Sequence, residues 1–208
     1  KIEKEDIPFF SGVLIAAFFG VMSYTIENDA LKNKEKKALL EIARKAIRAA
    51  VLKTDEPPEP REEKSLNMRN GCFVTIRQND ELRGCIGNFQ SEQPLFKEIA
   101  AMAAASATRD PRFYPLQEID LDSISLEISV LSPLMKIGDI EEIEIGKHGI
   151  YLEKGYYRGV LLPQVATEHE WDRETFLKQT CLKAGLPTDA WNSEDADIYI
   201  FSAQIFGD

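Results

Sequence analysis

A guanidinium, a thiol and two glycines fall within one stretch of six residues, Leu-Arg-Gly-Cys-Ile-Gly at positions 82–87. The stretch follows an apolar run and a polar turn, which is the pattern of the second strand of a β-hairpin. Glycine weakens a strand, so Gly84 and Gly87 indicate that a second backbone, a ligand or a bulge lies close to it. The alternative is a tightly packed hairpin whose glycines serve only the fold. We refer to residues 82–87 as the motif.

The first chemistry that the motif supports is nucleophilic or redox catalysis by Cys85. A thiol reacts as its thiolate, and the Arg83 guanidinium and nearby backbone N–H groups would lower its pKa. His148 is one of two histidines in the chain and is a candidate proton carrier for this reaction. Against catalysis, a cysteine on an apolar strand is commonly buried and inert. The candidate catalytic residues are therefore Cys85, Arg83 and His148, with a structural cysteine as the alternative.

The second chemistry is binding without catalysis. Arg83 and Arg112 are cations that pair with carboxylates or phosphates, and glycine leaves backbone N–H groups open to an anionic ligand. Asp110 and Arg112 flank Pro111 in a turn that follows an alanine-rich helix. An ion pair between these two side chains is the structural alternative for them. In the binding hypothesis the residues line a cleft that holds a small anionic or nucleotide-like molecule.

The composition excludes several classes of protein. A formal net charge of −10 and a pI near 4.9 argue against general binding to a nucleic-acid backbone, which requires clustered Lys and Arg. The chain has no dinucleotide or P-loop glycine motif, no CxxC pair and no HExxH, so no zinc site is expected and no cofactor is indicated. Three irregularly spaced cysteines fit a reducing compartment, which predicts a cytoplasmic protein with Cys72 and Cys181 in its core.

The helices and strands that position these residues do not follow one another as repeated βαβ units. This order predicts an α+β fold with a mostly antiparallel sheet flanked by helices. Apolar residues at three- and four-residue steps predict the helices, and alternation of apolar and polar residues predicts the strands. We expect helices at residues 33–53, 94–108 and 173–184, and strands at residues 72–77, 82–87, 123–131, 140–145, 150–153, 158–162 and 198–206.

The first 32 residues differ from the rest of the chain. Residues 7–24 carry no charge and are just long enough to be considered as a membrane span. Proline, glycine and serine interrupt this run, and its acidic flank is wrong for a signal peptide. We therefore expect residues 1–32 to be an apolar extension or the end of an upstream domain, with a membrane segment as the less favoured interpretation, and residues 33–208 to form one domain.

Several short segments resemble those of the AMMECR1 domain family, in the same order along the chain: the motif, Asp-Pro-Arg-Phe at 110–113, Leu-Leu-Pro-Gln-Val at 161–165 and the run that begins Thr-Cys-Leu-Lys at 180. The resemblance extends from about residue 34 to the end of the chain. It implies an antiparallel sheet with helices, arranged as a larger and a smaller lobe with a cleft between them. It also implies a Memo-like protein and a radical SAM protein as partners, because the family accompanies both in many microbes.

Together, the residue types and the resemblance predict that the cleft around the motif binds a small ligand, and they leave open whether cysteine chemistry also occurs there. The expected ligand-binding residues belong to the segments named above: Arg83, Gly84, Gly87, Asp110, Arg112 and Gln164. The alternative is a non-catalytic adaptor that works with the Memo-like and radical SAM partners. It would dock through the basic face of the helix at residues 33–53.

Overall fold

The structure, a computed structural model, describes residues 31–208, so the prediction for residues 7–24 lies outside the described part of the chain. Within these residues none of the helices combines the length and the apolar character that a membrane crossing needs. Helices and strands follow one another in this order: α1 (Asn33–Leu52), β1 (Cys72–Gln78), β2 (Glu81–Asn88), α2 (Leu95–Thr108), β3 (Ile124–Leu131), β4 (Met135–Lys136), β5 (Gly149–Lys154), β6 (Tyr157–Leu161), α3 (Pro163–Glu168), α4 (Arg173–Lys183), β7 (Asp197–Phe201) and β8 (Ala203–Gly207).

The first sheet carries the motif on its edge strand, in the order β2-β1-β3-β8 with every pair antiparallel. Successive side chains of each strand point to opposite faces of this sheet, and on one face Val74, Ile76 and Ile128 are fully buried in the core. Helices α1 and α2 contribute to the same core, with Leu39 and Ile47 on the apolar stripe of α1. The motif strand β2 is therefore held by β1 on one side and by contacts with α2.

The second sheet has the order β4-β7-β5-β6 and is also antiparallel throughout. Ile150 of β5 packs with Phe176 and Leu177 of α4, and all three are fully buried. Asp172 caps the first turn of α4 by accepting the backbone N–H of Thr175 at 2.8 Å, as its place in the sequence predicts. This sheet and α4 form a second core, distinct from the core beneath α1 and α2.

A third apolar cluster joins residues of both sheets. The chain passes from β7 into β8, and so from one sheet to the other, at Ser202. There the Ser132 hydroxyl accepts the N–H of Ser202 at 3.0 Å, and the Ser132 N–H donates to the Ser202 carbonyl at 2.9 Å. Cys85 of the motif lies in this contact between the sheets, within a cluster that comprises Phe73, Cys85, Leu131, Leu162, Phe201 and Ala203.

The predicted α+β fold of antiparallel strands and packed helices is confirmed, but two strand predictions are wrong. Residues 140–145 contain a 3-10 helix, Ile140–Glu142, because the Asp139 carboxylate accepts the N–H of Glu141 and starts a turn. Residues 198–206 form two strands, because the pairing changes from one sheet to the other at Ser202. Helix α3 has no counterpart among the expected elements. Pro163 occupies its first turn, where the missing N–H removes no helical hydrogen bond.

Candidate functional site

Arg83 is the extra residue of a β-bulge in the motif strand. Ile76 lies opposite Gly84 and Arg77 lies opposite Leu82, so the register shifts and Arg83 has no paired residue on β1. A bulge bends the strand and changes the direction of a side chain, which is why bulges are common next to functional sites. The glycines of the motif predicted a bulge as one explanation for their presence in a strand, and the structure has a bulge at this place.

The guanidinium of Arg83 reaches the loop that follows α2. Its Nη1 donates to the backbone carbonyl of Tyr114 at 2.7 Å. No carboxylate in residues 31–208 lies within ion-pair distance of Arg83. Tyr114 is itself 90% exposed. The surface therefore combines a guanidinium that has no ion-pair contact among the described residues with an exposed aromatic residue, which suits an anionic ligand with a planar part.

Gly84 is the point of contact between the motif strand and α2. A Cβ atom at this position would lie 2.2 Å from the backbone oxygen of Ser106. The Ser106 hydroxyl donates to the Val74 carbonyl at 2.7 Å and accepts the N–H of Ile86 at 2.9 Å, so it links both strands of the hairpin to the helix. The space beside Gly84 is filled by helix backbone.

Gly87 is enclosed by the neighbouring strand. A Cβ atom on it would lie 2.2 Å from the Cys72 carbonyl oxygen and 2.4 Å from the Phe73 ring. Protein atoms therefore account for the absence of a side chain at both Gly84 and Gly87. Their predicted role as backbone donors to a ligand stays a prediction.

Cys85 is buried, with 1% of its surface exposed. Thr75 lies opposite it on β1 and donates its hydroxyl to the Cys85 Sγ at 3.3 Å. Burial raises the pKa of the Cys85 thiol above its usual value, because the opposing effects of Thr75 and Arg112 are smaller. The side chain is therefore a thiol at neutral pH, and the geometry favours the structural alternative over a thiolate nucleophile.

Asp110 and Arg112 form an ion pair that clamps the backbone of Cys85. Arg112 Nε and Nη2 donate to the two carboxylate oxygens of Asp110 at 3.0 and 2.8 Å. Asp110 also accepts the N–H of Cys85 at 2.8 Å, and Arg112 Nη2 donates to the Cys85 carbonyl at 3.4 Å. Because β2 is an edge strand, the pair satisfies backbone groups that no further strand of the sheet reaches. The predicted alternative of an internal ion pair is present here.

The same contacts set the charge of the clamp. Burial on its own raises the pKa of the Asp110 carboxyl, but the Arg112 guanidinium and the N–H groups of Cys85 and Arg112 lower it below its usual value. The hydrogen bonds that Arg112 donates to the Asp110 carboxylate also raise the pKa of Arg112. Both groups are charged at neutral pH and each neutralises the other. Of the two candidate guanidinium groups, Arg83 and Arg112, Arg83 is therefore the one that is open to an external anion.

The remaining candidates, His148 and Gln164, have no hydrogen bond to the motif within the described residues. His148 Nδ1 accepts the N–H of Glu144 at 3.2 Å in the turn before β5, and burial lowers the pKa of the imidazole. The structure therefore does not bring His148 to Cys85. Gln164 lies in α3, and its Oε1 is buried without a hydrogen-bond partner within residues 31–208. Leu162, just before α3, packs with Cys85 in the third cluster, which brings this helix toward the motif.

Besides Ser106, which accepts the N–H of Ile86, two residues that hydrogen-bond to side chains of the motif are absent from the expected site residues. Thr75 donates to the thiol, and the carbonyl of Tyr114 accepts from the motif guanidinium. Counting pairs outward from the hairpin turn places Thr75 opposite Gly84, and only the bulge moves it opposite Cys85. The one sequence signal for Tyr114 is its place after the Asp-Pro-Arg-Phe turn, where an exposed loop is expected.

We expect all three cysteines to react slowly with an aromatic disulfide reagent in the native protein. Cys72, Cys85 and Cys181 are free and buried, and burial raises the pKa of each thiol. Labelling should be at least about a hundredfold slower than in the urea-unfolded chain, because it requires local opening. The rate of thiolate release measures this, and Cys85→Ser identifies the contribution of Cys85. Fast labelling of Cys85 alone would contradict the structural interpretation and favour a reactive thiolate.

Comparison with known proteins agrees with the resemblance of the short segments. The AMMECR1 family model matches residues 40–206. Protein NEQ441 of Nanoarchaeum equitans is 43% identical over 176 residues, covering 81% of this chain and 97% of that protein. Protein MJ0810 of Methanocaldococcus jannaschii is 46% identical over 148 residues, covering 67% and 74%. The crystal structure of the uncharacterized protein PH0010 from Pyrococcus horikoshii aligns with a TM-score of 0.76 at 38% identity, covering 86% of this chain and 93% of that one. The chain therefore belongs to the AMMECR1 family.

Proposed function

We propose that the chain binds a small anionic ligand on the surface formed by Arg83, Tyr114 and Ile119, which we call the motif surface, with the Arg83 guanidinium as its anchor. The observation that carries the proposal is that, within residues 31–208, this guanidinium donates to a backbone carbonyl and has no carboxylate partner. Arg112, by contrast, is committed to Asp110. A carboxylate or phosphate would form charge-assisted hydrogen bonds with the remaining donors of Arg83.

The surroundings of Arg83 favour a ligand with a planar or apolar part beside its anionic group. Tyr114 and Ile119 are 90% and 84% exposed in the segment between α2 and β3. This segment lies close to the motif, since Arg83 donates to the Tyr114 carbonyl at 2.7 Å and Gln78 of β1 donates to the Asp120 carboxylate at 3.2 Å. A nucleotide-like molecule fits, with its base against Tyr114 and its phosphate on Arg83. Catalysis is not part of the proposal.

The test is thermal unfolding of the protein with nucleosides, nucleoside monophosphates, inorganic phosphate and small dicarboxylates. A compound that binds the folded state at about 100 times its Kd stabilises it by about 2.7 kcal/mol, which raises the Tm by roughly 5 to 10 °C. We expect such a shift for the parent protein and none for Arg83→Ala. The control is Arg48→Ala, which removes an exposed cation from α1 and should keep the full shift.

Two results would count against this function. An equal shift in the parent protein and in Arg83→Ala would show that the ligand does not use the proposed anchor. The absence of a shift with every compound would leave the motif surface without a small-molecule ligand of these classes. A shift that Arg83→Lys retains in part, and that Arg83→Ala lacks, would support a contact that depends on charge and is strengthened by the planar guanidinium.

The second candidate function is that of a protein adaptor. Helix α1 carries six Lys or Arg residues and two Glu, in a chain with a formal net charge of −10. Lys34, Lys37, Lys45 and Arg48 are exposed on it and form no ion pair within residues 31–208. This surface suits an acidic partner, and the Memo-like and radical SAM proteins are the first to test. If no ligand shifts the Tm and reversal of these charges abolishes co-purification of such a partner, the adaptor function is the better account.

A further inference from the structure

The second sheet has one face that is only partly covered. On the other face, Ile150 and Leu152 are fully buried against α4. Successive side chains of a strand point to opposite faces, so the residues that alternate with these two lie on the side away from the helix. We call this side the open face. It is formed by Tyr151, Glu153, Arg158, Val160, Asp197 and Tyr199, which are half-buried or exposed.

An aromatic row crosses the open face. Tyr199 of β7 lies opposite Tyr151 of β5, which in turn lies opposite Val160 of β6. The ring centroids of Tyr151 and Tyr199 are 5.8 Å apart, and the Phe89 ring lies 6.1 Å from that of Tyr151. All four side chains are half-buried. Because the rings hold one another in place, they offer a contact surface that loses little conformational entropy when a ligand binds.

A charged row lies beside the aromatic row, two residues along each strand and so roughly 7 Å away. Arg158 Nε and Nη2 donate to Glu153 Oε1 at 3.2 and 2.7 Å. Lys136, opposite Tyr199 on β4, pairs with Asp197 at 2.7 Å. These four groups have no net formal charge, and their side chains are between 32% and 59% exposed. Donors and acceptors are therefore both available beside the rings.

This balance of charge indicates a neutral, polar ligand. Both cations already have a carboxylate partner, whereas a nucleic acid needs uncompensated Lys and Arg for its phosphates. A sugar ring is complementary to both rows. Its C–H groups carry a small positive charge and can contact the negative face of an aromatic ring. Its hydroxyls can donate to a carboxylate and accept from Lys or Arg.

We propose that the open face binds a sugar ring of a neutral oligosaccharide. The rings of Tyr151 and Tyr199 would contact the C–H face of the sugar. The Lys136–Asp197 pair, at the end of the aromatic row, would exchange hydrogen bonds with its hydroxyls. This site lies on the second sheet and does not depend on the anion site proposed at Arg83 on the first.

Isothermal titration calorimetry of the full chain with maltohexaose, cellohexaose and chitohexaose tests the proposal. We expect the parent protein to bind at least one of them, and Tyr199→Ala and Asp197→Ala to bind it about tenfold more weakly. The Asp197 side chain is 44% exposed, so its removal should leave the fold intact. Tyr199→Phe keeps the ring and should retain most of the affinity. The matched control is Tyr156→Ala, which removes a 99% exposed tyrosine from the turn between β5 and β6.

A blocked proline-rich peptide is the second probe, because aromatic surfaces also bind extended proline-rich segments. Saccharide binding that Tyr199→Ala and Asp197→Ala weaken, and that Tyr156→Ala retains, would support the proposal. Binding of the peptide without any saccharide would overturn it in favour of a protein partner. Equal saccharide affinity in the parent protein, Tyr199→Ala and Asp197→Ala would also overturn it, since the sugar would then bind elsewhere. So would the absence of binding by every probe.

Discussion

Replacing Asp110 with alanine is expected to lower the free energy of unfolding by about 3 kcal/mol or more. The Asp110 side chain is 1% exposed and binds Arg112 at 2.8 Å, so the change leaves a largely buried guanidinium without its partner. It also removes the acceptor of the Cys85 N–H on the edge strand. An unpaired buried donor adds about 1–3 kcal/mol to the cost of a lost partner, and the two effects act on the same strand.

Urea unfolding measured by circular dichroism provides the comparison, with a matched control in the chain. Asp195 binds Lys154 at 2.8 Å, but its side chain is 72% exposed, so Asp195→Ala should cost less than about 1 kcal/mol. The double variant Asp110→Ala with Arg112→Ala should be less destabilised than the sum of the single variants, because the two side chains share their contacts. Equal small effects of Asp110→Ala and Asp195→Ala would contradict the clamp.

The contribution of Asp110 should also depend on pH in a defined direction. Its pKa is lower in the folded protein than in the unfolded chain, where a value of about 3.9 applies. The stabilisation is therefore complete above the unfolded pKa and is lost as the pH falls through the lowered native pKa. The difference in unfolding free energy between the parent protein and Asp110→Asn should be constant near neutral pH and shrink in acid. A difference that grows in acid would contradict the assignment.

The elements that local pattern determines were predictable from the sequence. Helix α1 repeats apolar residues at three- and four-residue steps, and β3 alternates over its whole length, so both occur where the sequence indicates. The strand at residues 198–206 shows the limit of this information. Its alternation continues through Ser202, but the partner of the strand changes there from β5 to β3. Alternation reports that a segment is extended and does not report which strand it pairs with.

The candidate site was predictable in its residue types and much less in its geometry. Pairing counted from the hairpin turn cannot show the bulge, which sets both the direction of Arg83 and the position of Thr75. The burial of Cys85 depends on Leu162 and Phe201, which come from distant parts of the chain. His148 is a candidate from the sequence only because histidines are few, and in the structure it contacts Glu142 and Glu144, which are near it in sequence. Contacts between distant segments, such as those that bury Cys85, decide the chemistry of the site and leave no local pattern in the sequence.

Replacing Gly84 with alanine is expected to lower the free energy of unfolding by about 3 kcal/mol or more, at the upper end of the usual cost of overpacking. The added Cβ would lie 2.2 Å from the Ser106 carbonyl oxygen, which belongs to the backbone of α2 and cannot rotate away. Either α2 or β2 must shift. A shift would also disturb the Ser106 hydroxyl, which bonds Val74 and Ile86 and so links the helix to both strands.

The control for Gly84 is Gly138, whose added Cβ would have no heavy atom within 4 Å. Gly138→Ala should change the unfolding free energy by less than about 0.5 kcal/mol in either direction, as exposed substitutions usually do. Urea unfolding of both variants separates two explanations of Gly84, close packing against α2 and the approach of a ligand. If Gly84→Ala is as stable as Gly138→Ala, α2 does not rest on the strand, and the glycine would then be explained by a ligand that approaches it. If only Gly84→Ala is destabilised, helix packing is sufficient to require the glycine, and Arg83 remains the residue of the motif that is available for binding.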